Sequence, residues 1–503
     1  MKVETLEQYR KYTGDETFNK IKHYESLSQM WTACVKEYGE RVAVEDNGEK
    51  YSYNRLNEDV AKFRTVLKNS GVAKTRVALL IPNSYDFIKA FLAVTTLGGT
   101  AVVLPPQLDE TAVFGCCMKF GVSQLIVSGA TADKTSIVKL KRPDIAVIAA
   151  EATADSATGA ACCEGRDGCV IMFTGGTTGK SKGALLSNTA VLQGAVNSCY
   201  GVPGSFYQRY LLVLPLSHVF GLIRNMMASL YTGSTLFICR NNKDMFRDAA
   251  VFKPTIMVLV PALADMALTL SKKFGRNMLG EDMKTIICGA ANVPPYLIAE
   301  YHKMGIDLYP GYGLTESANL VSGNPEHLKK PGSVGLMFPE QEYKIVDGEL
   351  WLKGKNMMDG YVGEDETDAY EDGWFKTGDL VRLDDEGFLY ITGRIKEIIV
   401  LSNGENISPA EVEAKFAVLD YIQDCQVFED VDDKGLHFLS LEVVPRATEI
   451  AKLGDVDVNA FLIGELEKIN ATLPPHERVN KMTVRTSDFE RTPSMKIVRY
   501  KKC

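Results

Sequence analysis

The sequence predicts an α/β protein with a large N-terminal domain of layered α/β subdomains plus a β-rich subdomain, and a small α+β C-terminal domain. Its 503 residues are too many for one hydrophobic core, so the chain should form at least two domains. Helix-like and strand-like segments alternate over residues 21–150, and hairpin patterns replace them from about Gly332. The alternation predicts a largely parallel sheet, and the hairpins predict the β-rich part.

The alternating region begins with two apolar runs, Val77–Ile81 and Ala101–Leu104, that are typical of buried strands. Between them, Asp86–Thr96 is typical of a helix. A second region of the same kind follows, with predicted strands at Cys169–Phe173, Tyr210–Leu214, Ile256–Val260 and Thr285–Cys288. Strands separated by helices in this way favour parallel pairing.

The hairpin region contains an Asp-Gly turn between alternating segments in Lys344–Leu352, and a second hairpin with a longer turn in Val381–Ile391. After Arg394 the run Ser408–Glu411 predicts a helix start, in which serine caps, proline occupies the first turn and glutamate reaches back. We therefore place the N-terminal domain at residues 1–393 and the C-terminal domain at residues 394–503.

Composition narrows the class of protein. The net charge of −8, from 56 basic and 64 acidic residues, argues against a nucleic-acid partner. The 11 cysteines show no C-x-x-C spacing, so we expect reduced thiols in a cytoplasmic protein. The first residues lack the apolar core of a signal peptide. The longest near-apolar stretch, Phe87–Leu104, contains Lys89 and two glycines, so we expect no transmembrane segment.

A glycine-rich loop follows the predicted strand Cys169–Phe173. Four glycines lie within the ten residues 174–183, so successive backbone N–H groups can turn toward one anion, with Lys180 and Lys182 adding positive charge. The alternative is a flexible glycine turn. The predicted phosphate-binding residues are Thr174, Gly175, Gly176, Thr177, Thr178, Gly179 and Lys180. A P-loop is disfavoured because Thr174 occupies the position of its first glycine and residues 182–186 are not typical of a helix.

Seven blocks in order carry a resemblance to a known family. From about residue 20 to its end, the chain resembles the adenylate-forming superfamily of acyl-CoA synthetases, peptide-synthetase adenylation domains and beetle luciferases. The resemblance implies a reaction of a carboxylic acid, ATP and coenzyme A that yields acyl-CoA, AMP and pyrophosphate through an acyl-adenylate. The blocks are FTGGTTGKSKG (173–183), PLSHVFG (215–221), GYGLTES (311–317), GELWLKGKNMMDGY (348–361), WFKTGDL (374–380), GRIKEIIVLSNGENISPAEVE (393–413) and RTPSMKIVR (491–499).

Within these blocks the resemblance implies a nucleotide site. Tyr312 offers an aromatic face to adenine, and Thr315 offers a hydroxyl to phosphate. Glu316 supplies the hard oxygen ligand that Mg²⁺ prefers. Asp379 is placed to accept hydrogen bonds from the ribose hydroxyls, and Arg394 to contact ribose or phosphate.

The resemblance also assigns roles in the C-terminal domain, which it makes mobile. Lys496 would bridge the substrate carboxylate and the α-phosphate during adenylation, and Lys396 would be the hinge. Asn403 and Gly404 would bind coenzyme A or a carrier-bound phosphopantetheine, with Gly404 lining a tunnel for the thiol arm. Two positions depart from the family pattern, which usually has glycine where Met495 stands and often lysine where Val400 stands.

The acid is inferred from the residues near the acyl pocket. The resemblance makes His218 a gating aromatic at the pocket mouth, and no nearby histidine or cysteine suggests a metal site. Amino-acid-activating relatives carry an aspartate where this chain has Ser217–Phe220, and an unpaired buried ammonium would be costly. The small residues Gly289, Ala290 and Ala291 leave space beside Tyr312. We expect a fatty or aryl acid, and favour a fatty acid.

Three alternatives remain open from the sequence. The first is a ligase that loads the acyl group onto an acyl carrier protein, because the same phosphopantetheine arm serves both acceptors. The second is a luciferase-like oxidoreductase that shares the adenylation step. The third, from a different class, is a non-enzymatic nucleotide-binding scaffold, which predicts the loss of catalytic residues such as Lys496, Glu316 and Asp379, whereas all three are present.

Overall fold

The computed structural model describes residues 6–71, 75–157, 167–174, 182–362, 369–400, 406–431, 437–492 and 497–499. The described chain divides into two compact units. The first lies within Met1–Tyr343 and Leu352–Phe375, and the second within Lys344–Trp351 and Lys376–Cys503. The boundary at residue 394, given for a domain expected to be mobile, stays a prediction.

The largest sheet in the described ranges has nine strands, and its central pairs are parallel. All four residues of Ile256–Leu259 are buried. Such a continuous apolar run is typical of a parallel strand that is covered on both faces. In spatial order the strands are Leu336–Met337, Asn319–Gly323, Asp307–Leu314, Thr285–Cys288, Ile256–Leu259, Arg209–Leu212, Thr235–Ile238, Val42–Asp46 and Glu49–Ser52.

A second sheet, of seven strands where the chain is described, carries the phosphate-loop hairpin. Gly168–Phe173 pairs antiparallel with Gly183–Ser187, so a strand follows the glycine-rich loop in place of the helix that a P-loop requires. The order is Gly360–Val362, Gly183–Ser187, Gly168–Phe173, Thr100–Val103, Arg76–Leu80, Gln124–Val127 and Ala146–Ala149.

Helices connect these strands, and serine caps set several of their starts. The predicted helix at 86–96 is Tyr85–Thr96, whose first turn is capped by the Ser84 hydroxyl accepting from the Phe87 N–H. In the described residues no helix is long and apolar enough to cross a membrane. The α-helices of the first unit are Leu6–Thr13, Asp15–Phe18, Leu27–Tyr38, Tyr53–Asn69, Tyr85–Thr96, Glu110–Lys119, Ser136–Lys141, Asn188–Asn197, Ala228–Tyr231, Met245–Phe252, Pro261–Phe274 and Pro295–Lys303, and Phe220–Met227 is a π-helix.

Smaller sheets form the β-rich part and the C-terminal region. The predicted hairpins are present as Glu342–Val346 with Glu349–Lys353, and as Trp374–Leu383 with Leu389–Arg394. Tyr370–Glu371 pairs with Trp374–Leu383. The remaining strands are Ile399–Val400 with Asn406–Ile407, and Ile422–Val431, His437–Pro445 and Lys481–Val484, beside the helices Pro409–Phe416, Ala447–Ile450 and Val458–Thr472.

One local prediction was wrong. Ser408 stands at the N-cap position of Pro409–Phe416, but its side chain makes no capping hydrogen bond. Its hydroxyl instead donates to the Thr392 carbonyl at 2.6 Å. The Ser408 hydroxyl therefore makes a tertiary contact with the strand Leu389–Arg394 in place of a capping bond.

The helix Asn188–Asn197 packs very closely against the segment that begins the strand Asn319–Gly323. A Cβ atom on Gly194 would lie 2.2 Å from the Ala318 carbonyl oxygen and 2.9 Å from Cγ2 of Ile223. Asn319 Nδ2 donates to the Gly194 carbonyl at 3.2 Å, and Asn197 Nδ2 donates to the Leu320 carbonyl at 3.2 Å. The bare glycine thus sets the distance between the helix and the sheet.

We expect Gly194→Ala to destabilise the protein by about 1–3 kcal/mol, because the added methyl group overpacks a backbone contact. Gly115→Ala is the matched control, since Gly115 also lies within a helix but a Cβ there would meet nothing within 4 Å. The control should be neutral or should raise stability by up to about 1 kcal/mol. Thermal unfolding of the two variants measures the difference, and equal effects would contradict the packing argument.

Candidate active site

The phosphate-loop hairpin is closed at its base by described residues. The Thr174 N–H donates to the Lys182 carbonyl at 2.9 Å, and Thr174 is buried. The hydrogen bond fixes where the loop leaves one strand and enters the next. Residues 175–180, which carry the other predicted phosphate contacts, lie outside the described residues, so those contacts stay predictions.

Thr315 and Glu316 lie on a tight turn. The strand Asp307–Leu314 ends in the 3₁₀ turn Thr315–Ser317, which is followed by Ala318 in the left-handed region at φ 51°. The Ser317 hydroxyl accepts from the Leu314 N–H at 2.9 Å. Both predicted site residues are half-buried on this turn.

The block 348–361 holds this turn in place. Asn356 Nδ2 donates to the Ser317 carbonyl at 3.0 Å, and the Met358 N–H donates to the Glu316 carbonyl at 2.7 Å. The Tyr361 hydroxyl donates to Glu316 Oε1 at 2.7 Å. The backbone bonds orient the turn, and the phenol orients the carboxylate.

Tyr361 also connects Glu316 to the phosphate-loop hairpin. It pairs with Ala184 across the antiparallel strands Gly360–Val362 and Gly183–Ser187. Lys182 Nζ lies 4.6 Å from the centroid of the Tyr361 ring. Tyr361 lies in a block that the sequence analysis quoted, but its role was missed, because its partner is 45 positions away in the sequence.

The carboxylate of Glu316 fits a magnesium ion bound with a nucleotide. One oxygen accepts from Tyr361, and the other has no partner among the described residues. No group of three or more His, Cys, Asp or Glu side chains that could hold a metal is found in the part of the chain that is described. A magnesium ion at Glu316 would therefore complete its shell with water and phosphate oxygens, as Mg²⁺ commonly does.

The small segment 289–291 follows the strand Thr285–Cys288 and begins next to Gly311. Parallel pairing sets Cys288 opposite Pro310, so residues 289–291 continue beside Gly311 and Tyr312. A Cβ on Gly289 would lie 2.9 Å from the Gly311 carbonyl oxygen and 3.4 Å from Cζ of Phe220. Ala290 has φ 67°, which bends the chain at this point. The role of the segment in binding adenine and the acid stays a prediction.

His218 is held where the π-helix Phe220–Met227 begins. The backbone N–H of His218 donates to the Pro215 carbonyl at 3.1 Å, and its ring Nδ1 accepts from the backbone N–H of Phe220 at 3.2 Å. The ring is half-buried and Phe220 is buried. π-Helical turns occur frequently at functional sites. The gating role of His218 stays a prediction.

In the second unit, Asp379 and Arg394 form an ion pair that the sequence analysis did not foresee. The two residues are opposite each other on paired strands, and Arg394 Nε lies 2.5 Å from Asp379 Oδ1. The Asp379 side chain is only 2% exposed, so the guanidinium balances a buried carboxylate. The Asp379 N–H donates to the Thr377 hydroxyl at 3.0 Å. Lys396, the predicted hinge, is exposed in the 3₁₀ turn Ile395–Glu397.

Three predicted site residues, Lys496, Asn403 and Gly404, lie outside the described residues, as does Met495. The side chain of Val400 is likewise not described.

The described residues on both sides of 493–496 are held by ion pairs. Arg491 lies 2.5 Å from Asp424, and Arg499 lies 2.7 Å from Glu413. Burial raises the pKa of Glu413, and the Arg499 guanidinium opposes that rise.

Comparison with known proteins matches two family models in succession. Residues 31–362 match the model of the AMP-binding enzymes. Residues 396–502 match the model of the C-terminal domain of AMP-binding enzymes.

Individual relatives match most of the chain. An indoleacetate–CoA ligase of Aromatoleum aromaticum is 31% identical over 438 residues, which cover 80% of this chain and 85% of the relative. A long-chain-fatty-acid–CoA ligase of Mycobacterium tuberculosis is 28% identical over 430 residues, covering 80% and 85%. The structure of o-succinylbenzoate CoA synthetase from Bacillus subtilis with its acyl-adenylate intermediate has a TM-score of 0.78 at 24% identity, covering 93% of this chain and 96% of that one.

We expect Glu316→Gln to lower ATP–pyrophosphate exchange by about a hundredfold or more, because a metal-binding oxygen is lost where charge develops. Removal of Mg²⁺ from the unsubstituted protein should have the same effect. Tyr361→Phe should cost about tenfold, the effect of one hydrogen bond to a charged group.

The matched control is Tyr301→Phe, which removes a buried hydrogen bond to the Ala264 carbonyl and does not touch Glu316. It should leave exchange unchanged. Exchange is measured across a range of Mg²⁺ concentrations. If the Glu316→Gln protein keeps the same rate and the same Mg²⁺ dependence, Glu316 is not a metal ligand.

Proposed function

Since the chain belongs to the AMP-binding enzyme family of adenylate-forming CoA ligases, we propose that it converts a fatty or aryl carboxylic acid, ATP and coenzyme A into the acyl-CoA thioester, AMP and pyrophosphate. The observation that best supports the proposal is the fixed carboxylate of Glu316. Tyr361 holds it and, through strand pairing, joins it to the phosphate-loop hairpin.

The first step activates the acid. A carboxylate oxygen attacks the α-phosphorus of ATP, an acyl–phosphate bond forms, and pyrophosphate leaves. The N–H groups of the glycine-rich loop and the Lys496 ammonium would stabilise the negative charge that gathers in the transition state. Magnesium bound at Glu316 would neutralise phosphate charge. The carboxylate of Asp379 would accept hydrogen bonds from ribose.

The second step transfers the acyl group to a thiol. The sulfur of coenzyme A attacks the acyl carbonyl carbon, a thioester forms, and AMP leaves. Gly404 would line the path of the thiol arm, because a residue without a side chain leaves that path open. Rotation of the C-terminal domain about Lys396 would exchange Lys496 for Gly404 between the two steps.

The acid is proposed from the pocket residues and from the relatives. The segment Ser217–Phe220 lacks the aspartate that would pair an amino-acid ammonium, so amino acids are disfavoured. Two relatives are named for indoleacetate and for long-chain fatty acids, which supports an aryl or a fatty acid. We favour a fatty acid.

The acceptor and the location are also proposals. The alternative acceptor is the phosphopantetheine of an acyl carrier protein, and a comparison of free coenzyme A with a loaded carrier as acceptor distinguishes the two. Membership of an enzyme family removes the scaffold alternative. We propose a cytoplasmic location, which is supported by the eight free thiols among the described cysteines.

A hydroxamate screen of fatty, aryl and α-amino acids tests the acid. We expect fatty or aryl acids to react well above any amino acid, because the described chain near His218 offers no carboxylate for the ammonium. The opposite result, a zwitterionic amino acid as the best substrate, would overturn the assignment of the pocket.

The two half-reactions test the roles of Lys496 and Gly404. Lys496→Ala should lower adenylate formation by about a hundredfold or more, because one preorganised donor is removed from the transition state. The same variant should still make thioester from pre-formed acyl-adenylate and coenzyme A. Gly404→Leu should do the reverse, since its side chain blocks the thiol path. Equal impairment of both steps in both variants would exclude the alternation of the C-terminal domain.

A further inference from the structure

A buried positive charge stands in the first unit without a carboxylate. Arg224 lies in the π-helix Phe220–Met227 and is 1% exposed. Among the described residues no Asp or Glu forms an ion pair with it, and its Nε and Nη1 atoms have no hydrogen-bond partner. Its guanidinium does hydrogen-bond the Tyr210 hydroxyl.

Tyr210 cannot neutralise this charge. Burial raises the pKa of the Tyr210 phenol, and the effect exceeds the opposing influence of Arg224, so the phenol stays uncharged. Arginine itself cannot lose its proton in a protein. An ionised group without a partner in a protein interior is costly, by several kcal/mol in typical cases. The environment of Arg224 is therefore incomplete without a further acceptor.

A small cavity lies beside Arg224. Its volume is about 20 Å³, and its polar lining includes Arg224, Tyr200, Asn197, Ser198 and Asn324. The Tyr200 hydroxyl is buried and, like Nε and Nη1 of Arg224, has no hydrogen-bond partner among the described residues. Since one water needs ~10–15 Å³, the cavity at this size holds about one water, and a carboxylate would enter in place of that water with a shift of the lining side chains. Two residues with unsatisfied donors thus line one cavity.

The cavity adjoins the region predicted to bind the acid. Its walls include Ile287 and Pro310, on the two parallel strands that lead to Gly289 and Tyr312. Arg224 lies in the π-helix Phe220–Met227, which begins two positions after His218. A substrate that reaches past His218 would end near Arg224.

We propose that Arg224, together with Tyr200, binds a second carboxylate at the far end of the acid, so that the preferred substrates are dicarboxylic acids. One unsatisfied guanidinium nitrogen of Arg224 would donate a charge-assisted hydrogen bond to this carboxylate, and the Tyr200 hydroxyl would donate a second. The inference rests on the proposed function. It narrows the fatty or aryl acid to one that carries a negative charge opposite the activated end.

The test compares acids in matched pairs, from succinic to sebacic acid against the monocarboxylic acid of the same length, by pyrophosphate release. In the unsubstituted protein, at least one diacid should exceed its monoacid in kcat/KM by about tenfold or more, because the monoacid leaves buried donors unpaired. In Arg224→Met that diacid should lose about a hundredfold or more, while the monoacid keeps or improves its rate.

Arg64→Met is the matched control, because Arg64 is also buried but bonds Thr96 and does not line the cavity. It should change both acids of a pair equally. If Arg224→Met does not fold, the relative kcat/KM of the unsubstituted protein for diacids and monoacids still tests the proposal.

The outcomes separate the two proposals. Equal losses for diacid and monoacid in Arg224→Met would mean that the charge serves packing or holds only water, and would overturn the inference. A preference for the monoacid in every pair would also overturn it, with the proposed CoA ligase activity intact. If no carboxylic acid releases pyrophosphate, the proposed function itself fails.

Discussion

The candidate site depends on one hydrogen bond, from the Tyr361 hydroxyl to the carboxylate of Glu316. Tyr361 is fixed by strand pairing with Ala184, which lies in the second strand of the phosphate-loop hairpin, Gly183–Ser187. Glu316 is fixed by a 3₁₀ turn whose backbone bonds Met358. Three blocks that are far apart in the sequence therefore meet at one carboxylate. Since a metal ligand must be oriented before the ion arrives, this arrangement makes Glu316 suitable for that role.

Two buried ionised side chains, Asp379 and Arg224, differ in whether a residue of opposite charge lies beside them. Asp379 is paired across its strand with Arg394, so its charge is balanced within the second unit. Arg224, in the first unit, is equally buried, but among the described residues it hydrogen-bonds the neutral phenol of Tyr210 and forms no ion pair. The Asp379–Arg394 ion pair can stay intact, or a ligand hydroxyl can take the place of Arg394 as the partner of Asp379. Arg224 has no counter-ion among the described residues, so we infer that an acceptor from outside the chain binds it. The two residues therefore lead to different functional inferences.

Close backbone approaches set the distances between neighbouring segments at two places in the first unit. Gly194 allows the helix Asn188–Asn197 to touch the Ala318 carbonyl, and Gly289 allows the segment after Cys288 to touch Gly311. Both contacts lie within the first unit, and both leave no room for a Cβ atom. The Ile223 side chain packs next to Gly194, and the Phe220 side chain packs next to Gly289. Packing in this part of the first unit is thus set by the backbone as much as by the side chains.

The sequence by itself determined the elements and their order, because both follow from local patterns. The apolar run Thr285–Cys288 is the observed strand, and the helix predicted at 86–96 begins one residue earlier. The glycine-rich loop and the seven blocks identified the family, since spacing along the chain is visible without a fold. Only the tertiary structure decided that Tyr361 orients Glu316, that Arg394 balances Asp379, and that Ser408 bonds Thr392 instead of capping its helix. It also decided that no carboxylate pairs with Arg224 in the part of the chain that is described. Each of these depends on a partner, or on the absence of one, that is set by strand pairing and burial, and no local pattern encodes it.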